Sequence, residues 1–416
     1  QVGGTVGDIE SMVFLEALRQ FQFTAGKENF FLVHVSLVPV LGSVGEQKTK
    51  PTQHSVKELR ALGLSPDLIV CRSSSLLTES TKGKISTFCH VPPSHIISVH
   101  DVTNIYHVPL ILAAQGVHTR IREGLQLEAT KMRLEPDLSS WANLAHTVDN
   151  FKASVDIALV GKYTGLEDAY LSVIKALNHA SMHLNVEVRI RWVEASDLEE
   201  ETRLNEPDKY TAAWEVLKAE TTKGILIPGG FGSRGVQGMI AATRHAREHR
   251  VPLLGICLGM QVMVIEHALH VCNIERANSA EFDEATPNPV VLFMPEVNPN
   301  VMGGTMRLGA RTTLIATELQ TRAEVYGYSN YPEREAGILE RHRHRYEVNP
   351  ERVQQFEASG LYFSGRDETG VRMEIAERSR EEHPFFLGVQ YHPELKSRPN
   401  RPSPPLFAFA AMACGQ

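Results

Sequence analysis

The sequence predicts a two-domain α/β protein, each domain built on a mostly parallel sheet, and three observations lead there. Short apolar runs alternate with segments of helical period along most of the chain. Glycine-rich turns follow several of those runs, at the strand ends where open α/β sheets bind ligands. At 416 residues the chain exceeds one ordinary core, and its pattern changes character between residues 128 and 152.

Two polar, glycine-rich stretches mark the N-terminal third: Gly3-Gly4-Thr5-Val6-Gly7-Asp8-Ile9-Glu10-Ser11 and Gly45-Glu46-Gln47-Lys48-Thr49-Lys50-Pro51-Thr52-Gln53. Backbone amides, hydroxyls and two lysines in one loop suit a polyphosphate; on composition alone a surface turn is an even alternative. Asn29 to Val40 is strand-like, Phe30 to Val35 being apolar except for His34. Ser55 to Leu62 reads as helix and Asp67 to Cys71 as a buried strand. Ile96 to Val99 and Val108 to Leu112 read as further short strands, with Asp101-Val102 on the loop between them.

From Glu128 to Phe151 the chain reads as an interdomain linker. Lys131 to Asp137 is charged and broken by Pro136, and Ser139 to Val148 has helical periodicity. A second α/β unit follows: strand Ser154 to Gly161 ending at a Gly-Lys-Tyr turn, helix Glu167 to Met182, and alternating strand Val186 to Val193. The acidic stretch Asp197 to Asp208 reads as a solvated loop. Gly224 to Ile227 and Val251 to Leu254 are short buried strands that each run into a turn.

Those last turns carry the chemistry. Gly255-Ile256-Cys257-Leu258-Gly259-Met260-Gln261 places a cysteine between glycines at a strand-to-helix turn, the geometry that exposes a nucleophile. The helix start favours thiolate, which a free thiol of pKa about 8.5 needs for attack at neutral pH. A lone buried cysteine is ordinarily a small hydrophobe, but two further segments argue otherwise. Pro228-Gly229-Gly230-Phe231-Gly232 can turn backbone N–H groups toward a developing oxyanion. Gln390-Tyr391-His392-Pro393-Glu394 puts a histidine and a carboxylate two residues apart after a strand, the triad logic of acyl transfer.

Taken in order, Pro-Gly-Gly-Phe-Gly, Gly-Ile-Cys-Leu-Gly-Met-Gln and Tyr-His-Pro-Glu resemble the class I glutamine amidotransferases. The resemblance implies Cys257 as nucleophile, His392 as general base and acid, Glu394 as its orienter, and the backbones of Gly230 and Leu258 as oxyanion hole. It implies Gln261, Glu281 and Arg345 as further contacts of the glutamine substrate.

The N-terminal strings, together with Glu340-Arg341-His342-Arg343-His344-Arg345-Tyr346-Glu347-Val348-Asn349, are similar to the CTP synthase family from residue 1 to about residue 410. That resemblance implies a partial Rossmann-like amidoligase domain of the P-loop type over 1–127, a linker over 128–152 and the amidotransferase domain over 153–416. The implied reaction is amination of UTP to CTP: ATP phosphorylates O4, and ammonia from glutamine displaces the phosphate. Asp8, Ile9, Glu10, Lys48, Thr49, Lys50, Pro51, Thr52, Gln53 and Lys84 match the pocket for UTP and for CTP as feedback inhibitor. Val102 lies near the position of the ATP adenine. Mg²⁺ with ATP, GTP as activator of glutamine hydrolysis, homotetramers and filaments are also implied.

Two departures stand out. The family has a carboxylate ligand for Mg²⁺ where this chain has Gln1, and an amide is a weaker ligand for a hard cation. No Gly-x-x-x-x-Gly-Lys-Ser/Thr string occurs, so the sequence is expected to lack the ATP-binding start of its first domain. The alternative is a regulatory or filament-forming module with glutaminase activity only.

Composition excludes other classes. A net charge of −7 gives no general attraction to nucleic acid or anionic membranes, and no apolar run reaches the roughly 20 residues of a membrane span. The five scattered cysteines fit a reducing cytoplasm better than a disulfide framework. His342 and His344, two apart, have no cysteine or carboxylate at ligand spacing to make a metal site with them.

Overall fold

The structure, a computed structural model, describes residues 1–42, 45–127, 137–294, 306–315 and 337–415. It divides into two compact units, Gln1–Asn150 and Phe151–Gln416. Residues 128–136, the first part of the expected linker, lie outside the described residues.

The first unit opens on α1 (Ile9–Ala25), whose N-cap Asp8 accepts a hydrogen bond from the Thr5 amide at 2.8 Å. Strand β1 (Val33–Leu37) is followed by β2 (Val40–Leu41) and β3 (Glu46–Gln47), which pair antiparallel. Next come α2 (Lys50–Ala61), β4 (Leu68–Ser73), α3 (Glu79–Cys89) and β5 (Ile96–His100). Strands β1, β4 and β5 form a parallel sheet in that order. Helices α4 (Val108–Ala114), α5 (Val117–Gly124) and α6 (Ser139–Asp149) complete the unit.

Two expectations change here. Val108 to Leu112 is helix, not strand: Pro109 sits in the first helical turn, where its fixed φ and missing N–H cost nothing. A five-residue apolar run cannot by itself distinguish the two states. Likewise Lys50–Gln53 are no loop but the first turn of α2, with Pro51 in the same favoured position.

The second unit begins with β6 (Ala153–Gly161), α7 (Leu171–Leu184) and β7 (Val186–Glu194). The acidic stretch expected as a loop forms α8 (Glu200–Asn205) and the start of α9 (Pro207–Lys218). Its Glu200, Glu201 and Asp208 occupy first turns, where negative charge meets the positive end of a helix. Strand β8 (Thr222–Ile227), α10 (Val236–His249), β9 (Leu253–Ile256) and α11 (Leu258–His270) follow. Then come β10 (Ala277–Ser279), β11 (Asn288–Phe293), β12 (Arg307–Ile315), β13 (Ile338–His344) and β14 (Tyr346–Val348). The chain ends through α12 (Val353–Ala358), β15 (Tyr362–Asp367), β16 (Met373–Glu377), β17 (Phe386–Val389) and α13 (Pro404–Ala413).

Among the described residues the main sheet has nine strands in the order β13-β12-β15-β16-β17-β9-β8-β6-β7. From β17 to β7 neighbours are parallel, and from β13 to β17 they are antiparallel. The basic string Arg341–Arg345 is mostly strand: Glu340, His342 and His344 are buried while Leu339, Arg341 and Arg343 are exposed.

Close packing of α11 on β8 fixes where Cys257 stands. A Cβ on Gly259 would lie 2.2 Å from the Ile227 carbonyl oxygen. Only a residue without a side chain allows that approach. Gly259→Ala is therefore expected to lower stability by about 1–3 kcal/mol; an unchanged urea midpoint would contradict this packing argument.

Candidate active site

The turns after β6, β8, β9 and β17 meet at the carboxyl ends of the parallel strands. After β9, Cys257 caps α11 with φ 53° and ψ −99°, a conformation that non-glycine residues rarely hold. Its N–H donates to the Val389 carbonyl at 2.7 Å, tying the elbow to β17. The site is therefore strained and braced at the same residue.

After β17, the His392 N–H donates to the Arg341 carbonyl at 2.8 Å, and His392 Nδ1 lies 2.8 Å from Glu394 Oε1. A carboxylate there accepts the Nδ1 proton and leaves Nε2 free for Cys257. Burial opposes charge on His392. The Cys257 sulfur, through charge and a hydrogen bond, and the Glu394 carboxylate outweigh it and hold the imidazolium well above its ordinary range. A Cβ on Gly229 would fall 2.8 Å from His392 Cε1 and 3.5 Å from Cys257 Cβ. Gly229 thus keeps the cysteine–histidine pair accessible.

After β8, a Cβ on Gly230 would lie 3.2 Å from Leu258 Cδ2. The Leu258 side chain therefore packs against Gly230, and the Leu258 N–H, first in α11, has no partner within its helix. Cys257, His392, Glu394, Gly229 and Gly230 line a cavity of about 270 Å³ with Tyr163 and Arg343 among its other walls.

Buried Gln261 donates from Nε2 to the Tyr346 carbonyl (3.0 Å) and to Gln390 Oε1 (3.2 Å). Gln390 Nε2 in turn donates to Cys257 Sγ at 3.6 Å. Glu281 Oε1 accepts the Gly232 N–H at 3.1 Å. Arg345 has its backbone carbonyl held by the Met294 N–H (3.0 Å), while its Nε is buried with no hydrogen-bond partner among the described residues. The Tyr346 phenol is raised by burial first, then by Glu281 and Glu284, against Arg345. Glu281 and Arg345 thus both act electrostatically on the Tyr346 phenol, with opposite sign.

The sequence reading passed over Lys162. It follows β6 in the Gly-Lys-Tyr turn and is buried at 2% exposure. Its Nζ donates to the Phe231 carbonyl (3.2 Å) and to the Gly232 carbonyl, gripping the Pro228–Gly232 turn. Burial lowers its pKa to about 8, against the opposing charge of Glu281. The available signal was a lysine directly after a strand that is otherwise buried.

In the first unit, the expected nucleotide residues divide. Lys48 pairs with Glu46 at 2.7 Å, and exposed Lys84 adds its charge to the same carboxylate. Lys50 and Gln53 line a cavity of about 580 Å³ with His54, Lys57, Arg60 and Phe88. Lys50 Nζ lies 5.6 Å from the Phe88 ring centre, and Gln53 Nε2 donates to Thr49 Oγ1 at 3.0 Å. Thr52 is buried, its hydroxyl held by Ser36 Oγ (3.0 Å) and the Leu37 carbonyl (3.3 Å). Pro51 and, around the start of α1, Asp8, Ile9 and Glu10 are exposed. Val102 lines a separate cavity of about 550 Å³ with Asp101 and His107. Gln1 is exposed, and no group of three His, Cys, Asp or Glu among the described residues could hold a metal ion. Nor is any described helix long and apolar enough to cross a membrane.

The fold and the triad geometry define a class I glutamine amidotransferase domain, and comparison with known proteins agrees. The family model "Glutamine amidotransferase class-I" matches residues 166–412, and "CTP synthase N-terminus" matches residues 1–127. The chain is 52% identical over 418 residues to CTP synthase 1-B of Xenopus laevis, covering 100% of this chain and 68% of that one. It is 51% identical over 416 residues to CTP synthase 1 of Homo sapiens, with 100% and 68% covered. A solved structure, the glutaminase domain of Trypanosoma brucei CTPS with bound acivicin, matches at TM-score 0.55 and 37% identity, covering 63% of this chain and 94% of that one. The chain belongs to the CTP synthase family.

Proposed function

We propose that this chain hydrolyses glutamine at Cys257 and directs the ammonia to amination of UTP, as a glutamine-dependent, ATP-consuming CTP synthase. The observation that carries the reading is the Cys257 elbow beside a His392–Glu394 pair, on a chain of this family. Cys257 Sγ attacks the side-chain amide carbon, and the Gly230 and Leu258 N–H groups receive the oxyanion. His392 delivers the proton that lets ammonia leave, then takes one from the water that splits the thioester to glutamate. Glu394 holds the imidazole in the required tautomer. Gln261, Glu281 and Arg345 hold the substrate.

For the other half-reaction, Lys48, Lys50, Gln53 and Lys84 supply positive charge and donors for UTP or for inhibitory CTP. Asp8, Ile9, Glu10, Thr49, Pro51 and Thr52 form the neighbouring backbone, with Val102 toward ATP. Mg²⁺ accompanies ATP, yet Gln1 offers it only an amide and the described residues give no ligand set; no step is assigned to the metal. GTP activation, homotetramers, filaments and a cytoplasmic location belong to the same proposal. Conversion of UTP to CTP with glutamine and ATP, followed by absorbance, tests it. Glutamate release without any CTP in the presence of all substrates would favour the glutaminase module instead.

Arg345→Lys is expected to raise the glutamine KM about tenfold or more, because an ammonium cannot match a carboxylate bidentately. Alkylation of Cys257 by iodoacetamide should stay near the normal rate. Equal loss of both would point to a folding defect and remove Arg345 from the substrate site.

A further inference from the structure

His342 and His344 are buried titratable groups that the glutaminase chemistry leaves unused. They lie on the inward face of β13, the strand whose other features serve the site. The Arg341 carbonyl holds the His392 N–H, and the Arg343 carbonyl lies 3.9 Å from Cys257 Sγ. Just beyond the strand are Arg345 and Tyr346, whose carbonyl accepts the Gln261 amide at 3.0 Å.

That same Tyr346 carbonyl lies 3.0 Å from His344 Nδ1. A carbonyl only accepts, so Nδ1 of His344 carries the proton and its Nε2 is left as an acceptor. His342 Nδ1 lies 3.2 Å from that Nε2 and must therefore be the donor. His342 Nε2 is left bare, with no hydrogen-bond partner among the described residues and Glu374 Oε1 at 3.7 Å. Both tautomers follow from one carbonyl.

The groups around the pair keep it neutral. Arg307 donates to Glu374 at 2.7 Å, Thr313 donates to the other Glu374 oxygen, and the Tyr391 ring meets His342 edge-on at 5.8 Å. Burial pushes His342 down to about 2, with His344, Arg307, His392 and Arg311 adding to it. Burial likewise lowers His344 to about 4, with Arg307 and His392 acting the same way against its bond to Tyr346. A neutral pair in one tautomer behaves as a fixed chain of donors.

We propose that His342 and His344 form a tautomer-locked hydrogen-bond chain that positions the Tyr346 carbonyl, and through it Gln261, for glutamine binding. The proposal rests on the assignment of Gln261 and Arg345 to the glutamine site. His344 is thus a positioning residue, acting through Tyr346 rather than on the substrate.

The test is glutamine hydrolysis by the 416-residue chain with His344→Phe and His344→Asn. Phenylalanine fills the space but loses the donor; the asparagine amide can place its N–H where Nδ1–H stood. His344→Phe should raise the glutamine KM about tenfold while kcat and Cys257 alkylation stay near normal, and His344→Asn should recover most of it. A wild-type KM in His344→Phe overturns the proposal, as does a joint loss of KM, kcat and alkylation that asparagine does not rescue. Should the variants fold poorly, ¹⁵N histidine spectra of the unaltered chain decide: Nδ1–H tautomers are expected at both residues, and an Nε2–H tautomer at His344 refutes the chain. Glutamate release that survives Cys257→Ala would contradict the Cys257 nucleophile on which the glutamine site rests. A Cys257-dependent chain whose His344→Phe variant keeps its KM contradicts only the positioning role.

Discussion

Cys257→Ala is expected to abolish glutamine hydrolysis, leaving at most the small residue that binding and an oxyanion hole provide without a nucleophile. No neighbour can replace the sulfur: besides His392, it meets the Gln390 amide and the Arg343 carbonyl, and neither of these is a nucleophile. His392→Ala should cost nearly as much, because the same group accepts and returns the proton in both half-reactions. Glu394→Ala should retain about one to two decades more activity, since it orients the imidazole rather than exchanging protons with substrate. Glutamate release measured for the three variants fixes the order. An alanine variant of Cys257 that still forms glutamate would end the nucleophile assignment. Glu394→Ala as damaging as His392→Ala would show that the carboxylate does more than orient.

The amidotransferase half was legible because its chemistry is local in sequence. Cys257, Gly230, His392 and Glu394 each sit within a few residues of a strand end, and a parallel sheet brings strand ends together whatever the loop lengths. Period-two and apolar patterns placed β6, β7, β8 and β17. What the pattern missed follows from competing local effects. Pro109 and Pro51 turned apparent strand or loop into first helical turns, and the acidic run around Glu200 proved to be charge at helix starts. The roles of Lys162, Gln390 and the His342–His344 pair depend on contacts made across the sheet. A histidine two residues from another reads the same whether it binds metal, faces solvent or hydrogen-bonds its neighbour. In the nucleotide half the strands β1, β4 and β5 were legible but the site residues only as motifs, and burial of Thr52 could not be read from a polar string.

Lys162→Met should lower glutamine turnover about a hundredfold while making the second unit more stable. The ammonium is buried, and two of its donors hold the Phe231 and Gly232 carbonyls of the turn that presents the Gly230 N–H. Losing that grip lets the oxyanion donor drift, and loss of one such donor is worth about a hundredfold or more in turnover. The stability change has the opposite sign. Burial depresses the Lys162 pKa from its ordinary 10.5 to about 8, so between those values the unfolded chain binds more protons than the folded one. Stability from this group therefore rises as pH climbs from about 8 toward 10.5, and at neutral pH the buried charge costs folding energy. A methionine of similar length removes that cost; after the lost hydrogen bonds are deducted, a gain of about 1–2 kcal/mol at pH 7 is expected. Urea unfolding of both proteins at pH 7 and again at about pH 10 separates the effects: the unaltered chain should gain on methionine at the higher pH. Its glutaminase activity should also decline as Lys162 loses its proton above about pH 8, a limb that Lys162→Met should lack. Normal turnover in the methionine variant would show that the Pro228–Gly232 turn holds its shape without the lysine. A destabilised variant at pH 7 would mean that the two carbonyl bonds outweigh the desolvation of the charge.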